Sequence, residues 1–483
     1  MDVSFILVIL LFGGAATYFV GDKWASKAAL IFSTAAFAAA IYVTYRFTGG
    51  GNVNYAHAWI RVPRITLAFV GDGLSLSMVL LTTALTPIII FTSFGNLFPK
   101  TRGFYALIMF MAFAMTGTFL SADGLVYYIF WELSLIPIYF IALVWGSGNA
   151  EDRKKAVVKF FIYTFAGSLF MLVSFLYLYH KTGSFYFRHL YNAMLTPNEQ
   201  LLVFLGFFLA YAIKIPIIPF HTWQANVYQK APAAGTMLLS GIMLKMALFS
   251  IIRWQLPIAP GPVFEYQFII IGVCVAGVIY GSILALKQNS LKKLLAYSSL
   301  AHVGLIAAGA YTLTIDGFRG AFLQMMAHGF VVVGLFFAAE IISRRFNTDA
   351  ISEMGGIRIQ SPKFTSMFMI LVLASVALPA TFNFVGEFEL LYSLAQTNIW
   401  IAVIGGTTII LGAFYMLRMF QQVMLGEKNA KFFADVTFSE GFAMVLIIGV
   451  LLFFGLYPKP IVDFVTPELK STLEYINRFN LAR

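Results

Sequence analysis

Cysteine is almost missing from this chain: Cys274 is the only one among 483 residues. That excludes an internal disulfide framework and a cysteine-ligated iron–sulfur cluster. Charge is scarce as well, at 11% of residues, where a soluble domain carries about 25%. Nucleotide signatures are lacking, with no P-loop and no GxGxxG after a strand pattern, so neither a flavin nor a nucleotide is held through the usual motifs. The first apolar stretch, residues 4–20, has no basic flank, only Asp2. It reads as a retained membrane span rather than a signal peptide.

What is present is apolar. Hydrophobic residues make up 60% of the chain and mean hydropathy is +0.84. This composition predicts an all-α polytopic membrane protein, one helical bundle in spite of its length. The net charge of +11 is spread through loops, as membrane orientation requires, and is not a nucleic-acid footprint. Apolar windows near 4–20, 26–46, 76–95, 104–121, 124–146, 156–180, 201–221, 233–252, 266–286, 294–312, 318–342, 364–396, 399–421 and 440–458 predict fourteen spans. Residues 47–72 and 181–200 read as the long loops, and 461–483 as a short amphipathic helix at the membrane surface. Loops after odd-numbered spans hold nineteen of the 32 Lys and Arg residues, Lys428 and Lys431 among them. The richer side is expected to be cytoplasmic, which places both termini outside.

Two windows are broken. Span 7 carries Lys214 in AIKIPIIPFHTW, two residues before Pro216 and five before Pro219; span 12 breaks around LPATFNFVGEFELL, with Pro379, Gly386 and Glu387. Proline removes a backbone donor and breaks a helix, and a broken span is tolerated only inside protein or beside a water-filled cavity. The two breaks lie five spans apart and predict inverted five-helix repeats, spans 4–8 and 9–13. The chain then divides into 1–102, 103–255 (first repeat), 256–425 (second repeat) and 426–483.

Ionisable residues inside apolar windows form a series: Glu132, Lys214, Lys245, His302, His328 and Glu387, with His221 seven residues after Lys214. Each costs at least about 2.5–3.5 kcal/mol at membrane depth on insertion scales. Each has a static reading. Glu132 and Lys214 can be a buried pair that fixes helix register. The histidines can be core residues bonded to carbonyls, and Lys245 can extend its amine to an interface. The whole series fits a proton relay better, because acid and base groups follow one another on successive interior spans. Trp131 and Trp223 flank Glu132 and His221 and shield them or simply pack; Ser298 and Ser299 offer hydroxyls. Glu389 points away from Glu387 on a helix and belongs near an end or a pore wall.

FWELSLIPIYFIALVWG, AIKIPIIPFHTW with KAPAAGTMLLSGIMLK, LKKLLAYSSLAHVG and FNFVGEFELL together resemble the antiporter-like subunits of respiratory complex I and the related Mrp-type cation/proton antiporters. The resemblance covers about residues 70–430. It is nearest to the M-type branch, because Glu387 stands where L-type, N-type and Mrp relatives usually carry lysine, and because little chain follows span 14. It implies a fourteen-helix fold with two inverted repeats, a Glu132–Lys214 pair, Lys245 as a connector and Glu387 as the terminal titrating group. His221, His302 and His328 match the family's histidine positions. It also implies a subunit of a proton-translocating NADH–quinone oxidoreductase in a bacterial inner membrane. NADH, FMN, iron–sulfur clusters and quinone would belong to partner subunits, and L- and N-type subunits would be neighbours. The alternative is an Mrp-type sodium/proton antiporter subunit; a third possibility is a structural scaffold. The chain departs from the family pattern at Gln224–Tyr228, where an acid and a histidine are usual, and at Ser290, where an acid often precedes the basic pair.

Overall fold

The computed structural model describes residues 1–94, 99–427 and 432–481. Gly95, Lys428, Lys431 and Arg483, which enter the span and charge assignments above, lie outside the described residues. The long helices are α1 (Ser4–Phe19), α2 (Asp22–Thr48), α3 (Gly73–Thr92), α4 (Thr101–Leu120), α5 (Gly124–Trp145), α6 (Ala150–Thr182), α7 (Pro197–Lys214) and α8 (Ala233–Ile258). There follow α9 (Gly261–Leu286), α10 (Leu291–Ala310), α11 (Ile315–Phe346), α12 (Pro362–Ser375), α13 (Phe382–Thr397), α14 (Ile399–Leu425), α15 (Phe438–Leu456) and α16 (Lys459–Leu481). Among the described residues eleven helices are long and apolar enough to cross a membrane; α1 and α12 are shorter apolar helices.

The chain forms two compact units. The first holds residues 1–215, 242–267 and 464–483, the second 216–241 and 268–463. In the first, the stretch read as a loop at 47–72 contains an antiparallel hairpin, β1 (Tyr55–Ile60) with β2 (Ile65–Phe69), irregular between Ala58 and Ile60. Its alternation was hidden because β1 is almost wholly exposed and presents no apolar face to read. The hairpin fixes the turn between α4 and α5. Val70 N–H donates to the Leu120 carbonyl and Ala122 N–H to the Ala68 carbonyl, each at 2.8 Å. Asp123 then caps α5, accepting from the N–H groups of Leu125 and Val126, while its other oxygen accepts from Thr66 N–H.

The span 7 break falls where the prolines dictate. Thr196 and Glu199 form a reciprocal capping box at the start of α7, with Pro197 in its first turn. The helix stops at Lys214 just ahead of Pro216, and a 3-10 turn resumes only at Phe220–Trp223. The span 12 break contains Pro379, as expected, but stops short of Gly386 and Glu387. The non-helical segment is 376–381, and α13 runs unbroken through Gly386 and Glu387. Gly386 is therefore a packing glycine and does not open the backbone. A Cβ there would lie 2.7 Å from the Gln324 backbone nitrogen and 2.6 Å from its Oε1; at Gly320 it would meet Leu390 N at 2.8 Å. These two glycines let α11 and α13 approach closely. Gly386→Ala is expected to destabilise the protein by about 1–3 kcal/mol through overpacking, read as a lower melting temperature.

The tail folds as α16, with Ile461, Val465, Leu469 and Ile476 buried at helical spacing. That is the amphipathic pattern expected of a surface helix.

Candidate functional site

Of the titrating residues singled out, Glu132, Lys214 and Lys245 fall in the first unit, and His221, His302, His328 and Glu387 in the second.

Glu132 lies on α5 beside a loosened stretch of helix. Pro137 has no N–H for the Leu133 carbonyl four residues back, and the Ser134 hydroxyl turns back to the Trp131 carbonyl at 2.7 Å. Glu132 is half-buried rather than sealed in the interior. Its neighbours are the Ser168 hydroxyl and the charge of Lys214. Lys214 is the last residue of α7, where the negative end of the helix dipole favours a cation. It is 1% exposed. Its Nζ makes no hydrogen bond to a protein group and rests 4.5 Å from the centre of the Trp131 ring. That tryptophan is therefore a cation–π partner of the lysine.

From Lys214 hydroxyls lead toward α8. Tyr211 sits one turn back on α7; its Oη is 3.5 Å from that of Tyr127, too long for a strong bond, and Tyr127 donates to Ser250 Oγ at 2.7 Å. Lys245 lies on the same helix as Ser250, fully buried, so it does not extend to an interface. It is flanked by two π-helical turns, Leu239–Met243 and Ile251–Gln255. Such turns interrupt regular backbone bonding and are common at functional positions.

In the second unit the acid and the histidines converge. His302 on α10 places Nδ1 2.8 Å from Glu387 Oε1 on α13, within ion-pair distance though off the axis of a hydrogen bond. Gln324 on α11 donates to the same oxygen at 2.9 Å. His328, one turn further along α11, holds its ring 5.8 Å from that of His302. All four side chains are buried. His221 stands apart, in the 3-10 turn, edge-on to Tyr280 at 5.0 Å. Glu389 does not join Glu387; it accepts two 2.8 Å bonds from Arg319, which also bonds Asp316. Trp223 is buried, Ser298 accepts a bond from Tyr415, and Lys292 pairs with Glu340 at 3.1 Å. The carboxylate missing at Ser290 arrives from elsewhere. Asp349 accepts from Ser290 Oγ, from Lys292 N–H at 3.0 Å and from Gln229 at 3.2 Å.

Sequence reasoning missed Gln324, Tyr415 and the Asp72–Arg253 pair. Arg253 carried a signal, an arginine within the apolar run FSIIRWQLPI. A buried tyrosine carries none, because it barely disturbs hydropathy, and Gln324 is polar but uncharged, so it does not stand out as a titrating group.

The chain is thus a multi-pass helical membrane protein with acids and bases seated inside its helices. The family model described as NADH:quinone oxidoreductase/Mrp antiporter, TM, matches residues 121–412, and the chain belongs to that family. NADH-quinone oxidoreductase subunit M of Rickettsia conorii is 35% identical over 481 residues, 97% of this chain and 96% of that one. A chain of respiratory complex I from Thermus thermophilus superposes with a TM-score of 0.91 at 26% identity, covering 98% of this chain and 99% of that one. A chain of the Mrp complex from Dietzia sp. shares the fold, with a TM-score of 0.84 at 19% identity over 98% of each chain.

Proposed function

We propose that this chain is an antiporter-like membrane-arm subunit of a proton-translocating NADH:quinone oxidoreductase. The observation that carries the reading is the buried His302–Glu387 contact at 2.8 Å. An acid and a base that close, shut away from bulk water, can exchange a proton at little geometric cost. Redox energy from partner subunits would arrive as a change in electrostatics at Glu132, whose partly exposed side chain is open to a neighbour. Lys214 and Lys245 would carry the proton in the first unit, His221, His302 and His328 would take it up in the second, and Glu387 would be the terminal group. NADH, FMN, iron–sulfur clusters and quinone would be held by the partners, with L- and N-type subunits as neighbours.

In this reading the fold is completed as fourteen spans with spans 4–8 and 9–13 as inverted repeats. The chain sits in a bacterial inner membrane with its more basic loops inside and both termini outside. The Mrp-type reading is kept alive by the family model, which spans both classes. Vesicles separate the two: a pH gradient that needs sodium and no NADH belongs to the antiporter.

Glu387→Gln tests the pair directly. Glutamine preserves the shape and a partner for Gln324 but cannot titrate. NADH-driven acidification of vesicles is expected to fall at least about tenfold with assembly intact. Unchanged acidification would remove Glu387 from the relay.

A further inference from the structure

The second unit contains a pocket that the relay does not use. It has a volume of about 220 Å³ and lies between the end of α9, the start of α10 and the last turns of α14. Lys287, Gln288 and Asn289 line it from the turn after α9, and Arg418 and Gln422 from α14. No carboxylate lines it. Elsewhere in this unit basic side chains are spoken for: Lys292 reaches Glu340 at 3.1 Å, and Arg344 and Arg345 share Glu440. Among the described residues neither Lys287 nor Arg418 has a carboxylate within ion-pair distance. The turn that carries Lys287 is fixed, because Asn289 Nδ2 donates to Ser352 Oγ at 2.9 Å and its Oδ1 accepts from Ser352 N–H at 3.0 Å. Each of the two cations also stands one helical turn beyond an exposed apolar side chain. Ile283, 42% exposed, lies four residues before Lys287, and Phe414, 59% exposed, four before Arg418.

We propose that this pocket binds the phosphodiester headgroup of an anionic glycerophospholipid, with its acyl chains along Ile283 and Phe414. Only the membrane character of α9 and α14 is needed for this; the relay is not. The planar guanidinium of Arg418 suits two phosphate oxygens at once, and the Lys287 ammonium supplies a second, point-like charge. The Gln422 amide is left for a glycerol hydroxyl. Basic pockets between spans at the membrane surface recognise this chemistry. Two cations outweigh the single charge of one phosphodiester, so a headgroup that brings its own ammonium is disfavoured. Free phosphate would satisfy the cations but leave the apolar side chains beneath them without a partner. Simple snorkelling of two long side chains predicts separate paths to the interface; here both converge on one cavity from different helices.

The test places the full-length chain, in its native assembly, in phosphatidylcholine nanodiscs doped with a phosphatidylglycerol analogue that carries a photoreactive headgroup. Mass spectrometry of the digested chain then locates the label. It is expected on residues 285–289 and 415–422, which line the pocket. Lys287→Gln combined with Arg418→Gln should cut that labelling about 25-fold, at about fivefold for each cation, while Lys287→Arg retains it. Unlabelled phosphatidylglycerol should compete and added phosphatidylcholine should not. Label that is undiminished in the double variant, or absent from both segments, overturns the proposal. So does equal competition by phosphatidylcholine. Displacement by inorganic phosphate but not by unlabelled phosphatidylglycerol would make this a site for a free anion and also overturn it. If the double variant fails to assemble, the single variants decide: a loss of about fivefold in each upholds the site, and no loss in either overturns it. Proton transport is not the readout, so the result stands whether or not Glu387 belongs to a relay.

Discussion

Lys214→Met is expected to lower NADH-driven proton transport about a hundredfold or more while the complex still assembles. The separation of the two effects follows from the surroundings of the lysine. Its amine gives up no hydrogen bond to a protein group when removed; what is lost is its charge, the contact with Trp131 and the interaction with Glu132. Methionine restores most of the volume. Glu132 is left without its cation; it is half-buried and its Oε1 is buried with no hydrogen-bond partner, so some loss of stability accompanies the loss of transport. Replacing both members of a buried pair by uncharged groups of similar size is often neutral or stabilising, so Glu132→Gln combined with Lys214→Met checks that assembly survives. A static register pair therefore predicts little change in function, whereas a proton carrier predicts near-complete loss, since acid–base groups contribute about 10²–10⁴-fold where a proton must move. Native electrophoresis reports assembly and vesicle acidification reports transport. Full activity in a well-assembled Lys214→Met complex would refute the relay at its first base. Lys214→Arg sharpens the comparison: it keeps the charge but holds its proton at any working pH, and is expected to be nearly as inactive.

The sequence made the broken spans and their ionisable residues legible because prolines and charges in hydrocarbon are rare and costly. Lys214 does close α7, and Glu387 does meet a histidine. Pro379 does lie in the second break, but its extension to Gly386 was misread for a physical reason. Glycine marks both a weak helix and a close helix crossing, and Gly386 serves the crossing with α11, a choice that only the opposite helix decides. The degree of burial of Glu132 was equally hidden, because hydropathy reports that a window is apolar and not which side of a helix faces the interior. Tyr415 and Gln324 escaped notice since their partners, Ser298 and Glu387, are 117 and 63 residues away. The hairpin at 55–69 escaped because one of its strands buries nothing. Spacing along one chain predicts local geometry, and these features are all made by long-range contacts.

Asp72→Ala is expected to destabilise the first unit by about 3–5 kcal/mol, the cost of stranding one member of a buried ion pair. Arg253 sits inside α8 with its side chain 8% exposed, against 11% for Asp72. Its Nη2 lies 2.6 Å from Asp72 Oδ1 and 3.3 Å from Ser75 Oγ. The guanidinium also faces rings, Phe249 at 5.6 Å and Phe187 at 5.8 Å, and the Tyr191 side chain, none of which replaces a carboxylate. Asp72 has a second task. It caps α3 by accepting from Ser75 N–H at 2.9 Å, and loss of such a cap alone costs about 1 kcal/mol. Glu468 on α16 lies within electrostatic reach of Arg253. Burial and the charge of Asp72 push its carboxyl above the usual range, so removing Asp72 should lower it and draw Glu468 toward Arg253, recovering part of the loss. Asp72→Ala combined with Arg253→Met removes both charges and should be markedly more stable than Asp72→Ala alone, with the cap still missing. A double-mutant cycle on the melting temperature of the purified complex measures the coupling. A double variant no more stable than Asp72→Ala would mean that Arg253 is held by groups other than Asp72.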